Sequence, residues 1–447
     1  MRFLAILILL PSILLAAGKY ESVEYQPSEV KGELVFGVTY TVWIPDGVEK
    51  LRGVIVHQHG CGEGACNGGK TAAFDLHWQA LAKKWDCALL GPNYHQPEKE
   101  NCRLWCDPRN GSAKTFLRAL SDLAKASKHP ELETAPWCLW GHSGGGFWAS
   151  LMQTMYPDRI VAIWFRSGTA FTSWSKGDIP KPDMPDAMYG IPMMCNYGAK
   201  EMGDKRFNGA YLGSVEMFKA YRAKNAPIAV APDPRTGHEC GDSRYLAIPF
   251  FDACLALRLP DIGNANAALK KVDPISSWTA PLLGDQIVSE FAIKTKSTNV
   301  TNPAEMMWFP NLSVAKAWSE YVKTGAVSDT TPPPSPFNVA AKTQADGSVE
   351  LTWDADADFE SGIQQFVIER DGTELGRLPA TPKGKFGRAL FQSMSFHDTP
   401  EAPLPEMKFT DTSAKPGEKH EYHVIAINGV GLKSLQSKEA LPGKEVH

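Results

Sequence analysis

The 447-residue chain is too long for one ordinary core, so two or three domains are expected. Apolar residues make up 43% and charged residues 21%, the balance of a soluble globular protein. A formal net charge of -4 gives no electrostatic drive toward nucleic acid or an anionic membrane and argues against both as partners.

The chain opens on MRFLAILILLPSILLAAGKY, with one basic residue, Arg2, then a short apolar run and small residues. The pattern predicts a secretory leader over 1–18, cleaved near Ala17 or Gly18, and hence a secreted or periplasmic protein. No later apolar run is long enough to span a membrane, so none is expected after cleavage. Export permits disulfides. The nine cysteines are an odd count, so at least one stays unpaired within the chain. Cys87 and Cys138 fall in strand-like runs and read as buried thiols. Cys61, Cys66, Cys102 and Cys106 lie in loop-like stretches and are the candidates for cross-links, with their pairing left open.

Strand-like and helix-like segments then alternate. GVIVHQHG (53–60), CALLGPNY (87–94), WCLWGHS (137–143), RIVAIWF (159–165), IPMMCNYG (191–198) and PIAVAPDP (227–234) read as apolar strands. Segments 71–85, 112–128, 144–156, 214–225 and 243–257 have helical spacing. This alternation predicts a mostly parallel sheet covered by helices on both faces, over a domain of 19–329 with its core at 50–257. The segment 260–329 is less regular, holds one helix over 313–324, and is expected to pack on that domain. A proline-rich linker, 330–336, follows. Beyond it the period changes to two: SVELTW, QQFVIER and HEYHVIAIN are alternating strands of an all-β sandwich over 337–447.

CLWGHSGGGFWASL places Gly-x-Ser-x-Gly between a strand and a helix, with Ser143 at its centre. Acyl transfer by a serine needs that exposed turn, a base, an acid behind the base, and donors for the oxyanion. The base is expected after the last strand, and His238 stands there in TGHECGD. The acid is expected after the strand before it, where Glu201 is preferred and Asp204 is the second candidate. The oxyanion donors are expected at the amides of Gly144 and Cys61, with Gly60 beside them in HGCGEGACNGG. Phe171, Trp174 and Tyr189, in the insert 169–190, are expected to wall a substrate pocket. His57 and His59 lack a usual set of zinc partners, and DADADFESG, with Asp354, Asp356 and Asp358, lacks the glycine and glutamate of a calcium loop. No metal or cofactor is therefore expected.

VIVHQHGCG, CRLWCDPRNG, GHSGGG and GHECGD together resemble the secreted serine esterases of the α/β-hydrolase superfamily. The nearest group is the polyhydroxybutyrate depolymerase and feruloyl or acetyl-xylan esterase set. The resemblance covers 50–257 and implies Ser143 as nucleophile, His238 as base and the Gly60-Cys61 turn at the oxyanion. The acid in such enzymes is usually aspartate, whereas Glu201 is the best position here, and the second cysteine of Cys102-Arg-Leu-Trp-Cys106 is not part of the family pattern. The stretch 333–439 resembles fibronectin type III domains, with Trp353 as core tryptophan, Tyr422 as corner tyrosine, and an irregular insert from Leu378 to Pro405.

These features together predict an α/β-hydrolase fold followed by a fibronectin type III-like sandwich. The expected activity is cleavage of carboxylic esters, with an ester, polymeric or small, as partner. The sandwich is expected to act as a spacer or a module for docking on surfaces or polysaccharide. A peptidase of prolyl-oligopeptidase type and a non-catalytic binding protein are the competing readings. The first normally carries a gating domain, which the sequence lacks, and an intact Ser-Glu-His set argues against the second.

Overall fold

The computed structural model describes residues 6–7, 18–262, 267–273, 278–281 and 306–442. The expected leader falls almost wholly outside them. A nine-stranded sheet forms the first domain from β1 (Ile6–Leu7), β2 (Gly18–Tyr25), β3 (Val38–Pro45), β4 (Gly53–Gln58), β5 (Cys87–Tyr94), β6 (Trp137–His142), β7 (Ile160–Arg166), β8 (Met193–Gly198) and β9 (Ile228–Asp233). Its order is β1-β2-β3-β5-β4-β6-β7-β8-β9. The first three strands and their junction with β5 are antiparallel, and from β5 to β9 all pairs are parallel. The parallel strands are mostly apolar and are buried along their whole length because both of their faces are covered.

The helices are α1 (Glu63–Thr71), α2 (Leu76–Lys84), α3 (Arg103–Cys106), α4 (Ser112–Ser127), α5 (Gly144–Met155), α6 (Phe171–Ser175), α7 (Asn208–Arg222), α8 (Arg244–Arg258) and α9 (Leu312–Thr324). Side-chain alternation along the strands sets the two layers. On one face Trp140 and Trp164 meet Trp78 of α2 and Phe250 of α8. On the other, Trp137 packs edge-on against Phe116 of α4. The strands at 18–25 and 38–45 are additional to those read from the sequence. So is α1, which forms inside the stretch the sequence leaves as a glycine-rich loop. A Cβ on Gly69 would stand 2.0 Å from the Pro92 carbonyl, so α1 can lie against β5 only with glycine there. The extension adds a strand pair, β10 (Trp278–Pro281) with β11 (Met306–Phe309), and α9, whose Trp318 Nε1 donates to the Val230 carbonyl at 2.8 Å.

The sandwich pairs β12 (Phe337–Thr343), β13 (Val349–Asp354) and β16 (Lys408–Asp411) in one sheet. The other holds β15 (Thr373–Leu378), β14 (Ile363–Arg370) and β17 (Tyr422–Asn428). Trp353 and Tyr422 are buried, and Tyr422 donates to Asp411 at 2.8 Å. The chain thus has an α/β-hydrolase fold followed by an all-β fibronectin type III-like sandwich.

The two domains share a core. Leu76 of α2 is buried in the same apolar cluster as Trp353, Phe366 and Phe391, with Phe74 and Ala80 against it. Asp356 of the acidic turn pairs with Lys83 at 2.6 Å. At the centre lies an ion cluster: Arg244 meets Asp75 at 2.7 Å and Asp398 of the insert at 2.8 Å, with all three side chains at most 2% exposed. Asp75 also caps α2, accepting from the amides of His77 and Trp78. Burial would raise the Asp398 carboxyl, but Arg244 and His57 together outweigh it and hold it low.

Removing one member of such a cluster leaves a buried charge unpaired. Arg244→Met is therefore expected to cost about 3–5 kcal/mol in urea unfolding of the full chain. A change below about 1 kcal/mol would mean that apolar packing alone joins the domains.

Candidate active site

Four connections leave the carboxyl ends of parallel strands and converge: the turn after β4, the elbow after β6, the turn after β8 and the loop after β9. This is the edge of an open α/β sheet where ligands bind. At the elbow Ser143 has φ 51° and ψ -112°, a strained backbone that lifts its side chain off the strand line. Gly141 and Gly145 make that turn possible. A Cβ on Gly141 would stand 2.4 Å from the Gly145 carbonyl oxygen, and one on Gly145 2.4 Å from that of Gln58.

Glu201 ends the short turn after β8 and is fully buried. Its Oε1 lies 2.5 Å from His238 Nδ1. A carboxylate only accepts, so Nδ1 carries the proton and the lone pair of this imidazole sits on Nε2. The ring stacks on Phe207, with centroids 3.8 Å apart and planes at 9°. Asp204, the second candidate acid, instead accepts from the amides of Arg206 and Phe207 at 2.7 Å each and so shapes the turn that presents Phe207. No hydrogen bond joins Ser143 Oγ to Nε2 among those described. Such bonds commonly tighten only once substrate is bound.

The turn after β4 leans over the elbow. A Cβ on Gly60 would be 3.2 Å from Ser143 Cβ, and one on Gly144 would be 3.4 Å from the Cys61 amide nitrogen. The Gly144 amide opens α5 and has no intrahelical acceptor. Neither it nor the Cys61 amide donates within the described hydrogen bonds. Cys61 is bonded to Cys102, which pins this turn to the start of α3. Cys66 and Cys106, the other cross-link candidates, are buried free thiols, and burial pushes Cys66 up to about 11. Cys87 and Cys138 are also buried and free.

Arg166 ties the elbow to the histidine loop. Its carbonyl accepts from the Ser143 amide at 2.8 Å. Its guanidinium is fully buried and donates to Thr236 Oγ1 at 2.9 Å, to the Gly237 carbonyl at 3.1 Å and to the Glu239 carbonyl. Burial alone would lower its pKa, but neighbours that include Cys240, Tyr321, Asp233 and Glu201 outweigh burial and raise it. The sequence signal for this residue is a charge closing an otherwise apolar strand.

Phe171, Trp174 and Tyr189 are placed differently from the sequence reading. Trp174 is buried in a satellite cluster with Leu151, Ala170 and Ile179. Phe171 meets Trp174 and Tyr221 edge-on, and Tyr189 meets Tyr221. Tyr189 lies in the turn entering β8, at the strand end opposite Glu201. The rings that approach His238 are Phe207, His142 and Phe396. His57 stacks on Trp140 at 3.9 Å, and His59 Nδ1 meets the Gly60 carbonyl at 2.6 Å.

No known family profile matches the chain, and no curated protein matches it. Among solved structures, an S-formylglutathione hydrolase from Agrobacterium tumefaciens is similar over 55% of this chain and 95% of its own, at 14% identity and a TM-score of 0.36. A fibronectin type III-like protein from Clostridium thermocellum is similar over 26% of this chain and all of its own, at 23% identity and a TM-score of 0.16. A multidomain piece of titin is matched over 24% of this chain but only 30% of its own length, at 21% identity and a TM-score of 0.17. The fold assignment rests on the strand order, and these likenesses say nothing about chemistry.

Several buried histidines are held neutral, His59, His142 and His397 near the elbow and His77 at the contact between the domains. Burial lowers His59 and His77 to about 4 and His397 to about 3, and it takes His142 well below its ordinary value. In the unfolded chain each would take up a proton near pH 6.5. Stability is therefore fully present above that pH and falls as the pH drops toward 4. Each histidine contributes about 2 kcal/mol of loss between pH 7 and 5. Asp358, raised to about 6 by burial, works in the opposite direction over part of this range. A net loss of several kcal/mol is expected in urea titrations at the two pH values, and equal midpoints would show that these imidazoles are not neutral in the fold.

Proposed function

We propose that the chain hydrolyses carboxylic esters through a covalent acyl-enzyme. The observation that carries the reading is the His238–Glu201 pair, its imidazole 5.0 Å from that of His142, which precedes a serine on a strained elbow, with the Gly144 and Cys61 amides lacking an acceptor among the described hydrogen bonds at the same place. Ser143 Oγ attacks the acyl carbon while His238 Nε2 takes its proton, and the carbonyl electron pair moves onto the oxygen facing the two amides. Collapse expels the alcohol, which receives the proton from Nε2. Water then repeats the sequence, with His238 as base, and releases the acid and Ser143. Glu201 holds Nδ1–H and stabilises the imidazolium formed in each half.

The quoted motifs support a narrower assignment to the polyhydroxybutyrate depolymerase and feruloyl or acetyl-xylan esterase group, acting on an acylated polysaccharide or a polyester. The leader pattern and the Cys61–Cys102 disulfide support an exported protein, since such bonds persist in oxidising compartments.

A fluorophosphonate probe is expected to label the wild type and not Ser143→Ala. With p-nitrophenyl acetate, Ser143→Ala and His238→Ala are each expected to lose about 10⁵–10⁶ in kcat, and Glu201→Gln about 10³–10⁴. Equal labelling of Ser143→Ala, or near-normal turnover by His238→Ala, would sink the triad. Faster turnover of an aminoacyl anilide than of any ester would reassign the bond to a peptide. A panel of acylated sugars, feruloyl esters and polyesters then locates the substrate.

A further inference from the structure

The insert between β15 and β16 does not lie free on the sandwich. It runs along the catalytic edge of the first domain and is fastened there at several points. Thr71 Oγ1 donates to the Pro400 carbonyl at 2.6 Å, the Cys240 amide to the Phe396 carbonyl at 3.1 Å, and Arg244 to Asp398 at 2.8 Å. Between these anchors a tight turn, closed by the Ser395 amide on the Thr399 carbonyl at 2.7 Å, carries His397 at its tip. A Cβ on Gly60 would touch both His397 Cε1, at 3.4 Å, and Ser143 Cβ, at 3.2 Å. The C-terminal domain therefore brings an imidazole to the rim of the elbow.

That imidazole is hydrogen-bonded into the site with a defined proton arrangement. His142 Nε2 is 2.8 Å from the His238 carbonyl oxygen, and His142 Nδ1 is 2.7 Å from His397 Nδ1. A carbonyl only accepts, so His142 donates from Nε2. With His142 neutral, its Nδ1 is an acceptor, and His397 must donate from its own Nδ1. The order is His397 N–H to His142, then His142 N–H to the backbone carbonyl of the residue that carries the base. Without the first donor the buried Nδ1 of His142 is left without a partner, and the ring is held to the His238 carbonyl from one side only.

We propose that His397 is a positioning residue for the ester-hydrolysing site. Acting through His142, it fixes the backbone of His238, so the catalytic unit comprises both domains. The proposal rests on the reading of Ser143, His238 and Glu201 as the triad. Small displacements of a catalytic group cost up to about a hundredfold in rate.

The test is kinetics of the full chain with p-nitrophenyl acetate. His397→Phe is expected to lower kcat by about 10–100-fold with KM within about twofold, because the base is misplaced and the substrate is not. His397→Asn, whose amide N–H stands where Nδ1–H stood, is expected to stay within about fivefold of wild type. Adding His397→Phe to His142→Phe is expected to cost less than about twofold more, since the link is already cut. Unchanged kcat in His397→Phe, an Asn variant no better than Phe, or full additivity overturns the proposal. Should His397→Phe not fold, His397→Ala is titrated with imidazole, with Ser143→Ala as background. Saturable recovery of kcat supports the relay, and none overturns it. Ser143→Ala also separates the two readings. Activity that survives it condemns the triad and the relay together, whereas activity lost with it but kept in His397→Phe condemns the relay alone.

Discussion

Arg244 stands just downstream of His238, in the first turn of α8, and every nitrogen of its guanidinium donates a hydrogen bond. Nε–H goes to Asp398 Oδ1, and the two amino groups reach Asp75, the Asp398 carbonyl and Met394 Sδ. Each partner comes from a different part of the molecule. Asp75 is the cap of α2, Asp398 belongs to the insert of the second domain, and Arg244 itself closes the loop that presents the base. The geometry is bidentate toward Asp75, which fixes direction as well as distance. A buried cluster of this kind adds little net stability over a well-packed apolar one, but it tolerates only one arrangement. Its value here is registry. The insert, the base loop and α2 can be satisfied together only when the two domains are docked in the observed way.

The same logic of exclusive fit governs the elbow. Gly141 and Gly145 let the strand-to-helix turn close against the strand beside it, and the strain at Ser143 is held because the amide of Ser143 is tied to Arg166 on the next strand. Arg166 then spends its side chain on the carbonyls of the His238 loop. A displacement of the His238 loop would leave a buried guanidinium with Asn196 Oδ1 as its one remaining described side-chain acceptor, which costs more than the hydrogen bonds gained by moving. Ser143 and His238 are thus referenced to one residue, and the Cys61–Cys102 bond references the turn after β4 to the same end of the sheet.

What could be read from the sequence follows from the range of each signal. The parallel strands declare themselves as continuous apolar runs, and Ser143, Glu201 and His238 lie where the order strand, turn, helix places them. The pairing of Glu201 with His238 over Asp204 turns on a local fact: Asp204 is consumed by the amides of its own turn. The strands at 18–25 and 38–45 mix polar and apolar residues as an edge does, so they give a weaker signal than the core strands. The partners of Phe171, Trp174 and Tyr189 are remote in sequence and give no signal: Phe171 and Tyr189 meet Tyr221 of α7, and Trp174 packs with Leu151 of α5. His142 looks incidental in the motif because its partner is remote in sequence. The one visible hint of that partner is the insert itself, too long and too irregular to be an ordinary sandwich loop.

That insert ties the second domain to the first. The structure sinks Leu76 of the first domain into the core of the second and closes the contact with a buried charge cluster. Separating them would expose that apolar face and leave Asp75, Arg244 and Asp398 to be resolvated together, so docking and folding of the insert form one cooperative event. A histidine carried on such an element reaches the elbow only in the docked state. The His238 loop of the first domain then has its full set of hydrogen bonds only when the second domain is in place, and the arrangement around Ser143 becomes a property of the whole chain rather than of the first sheet alone.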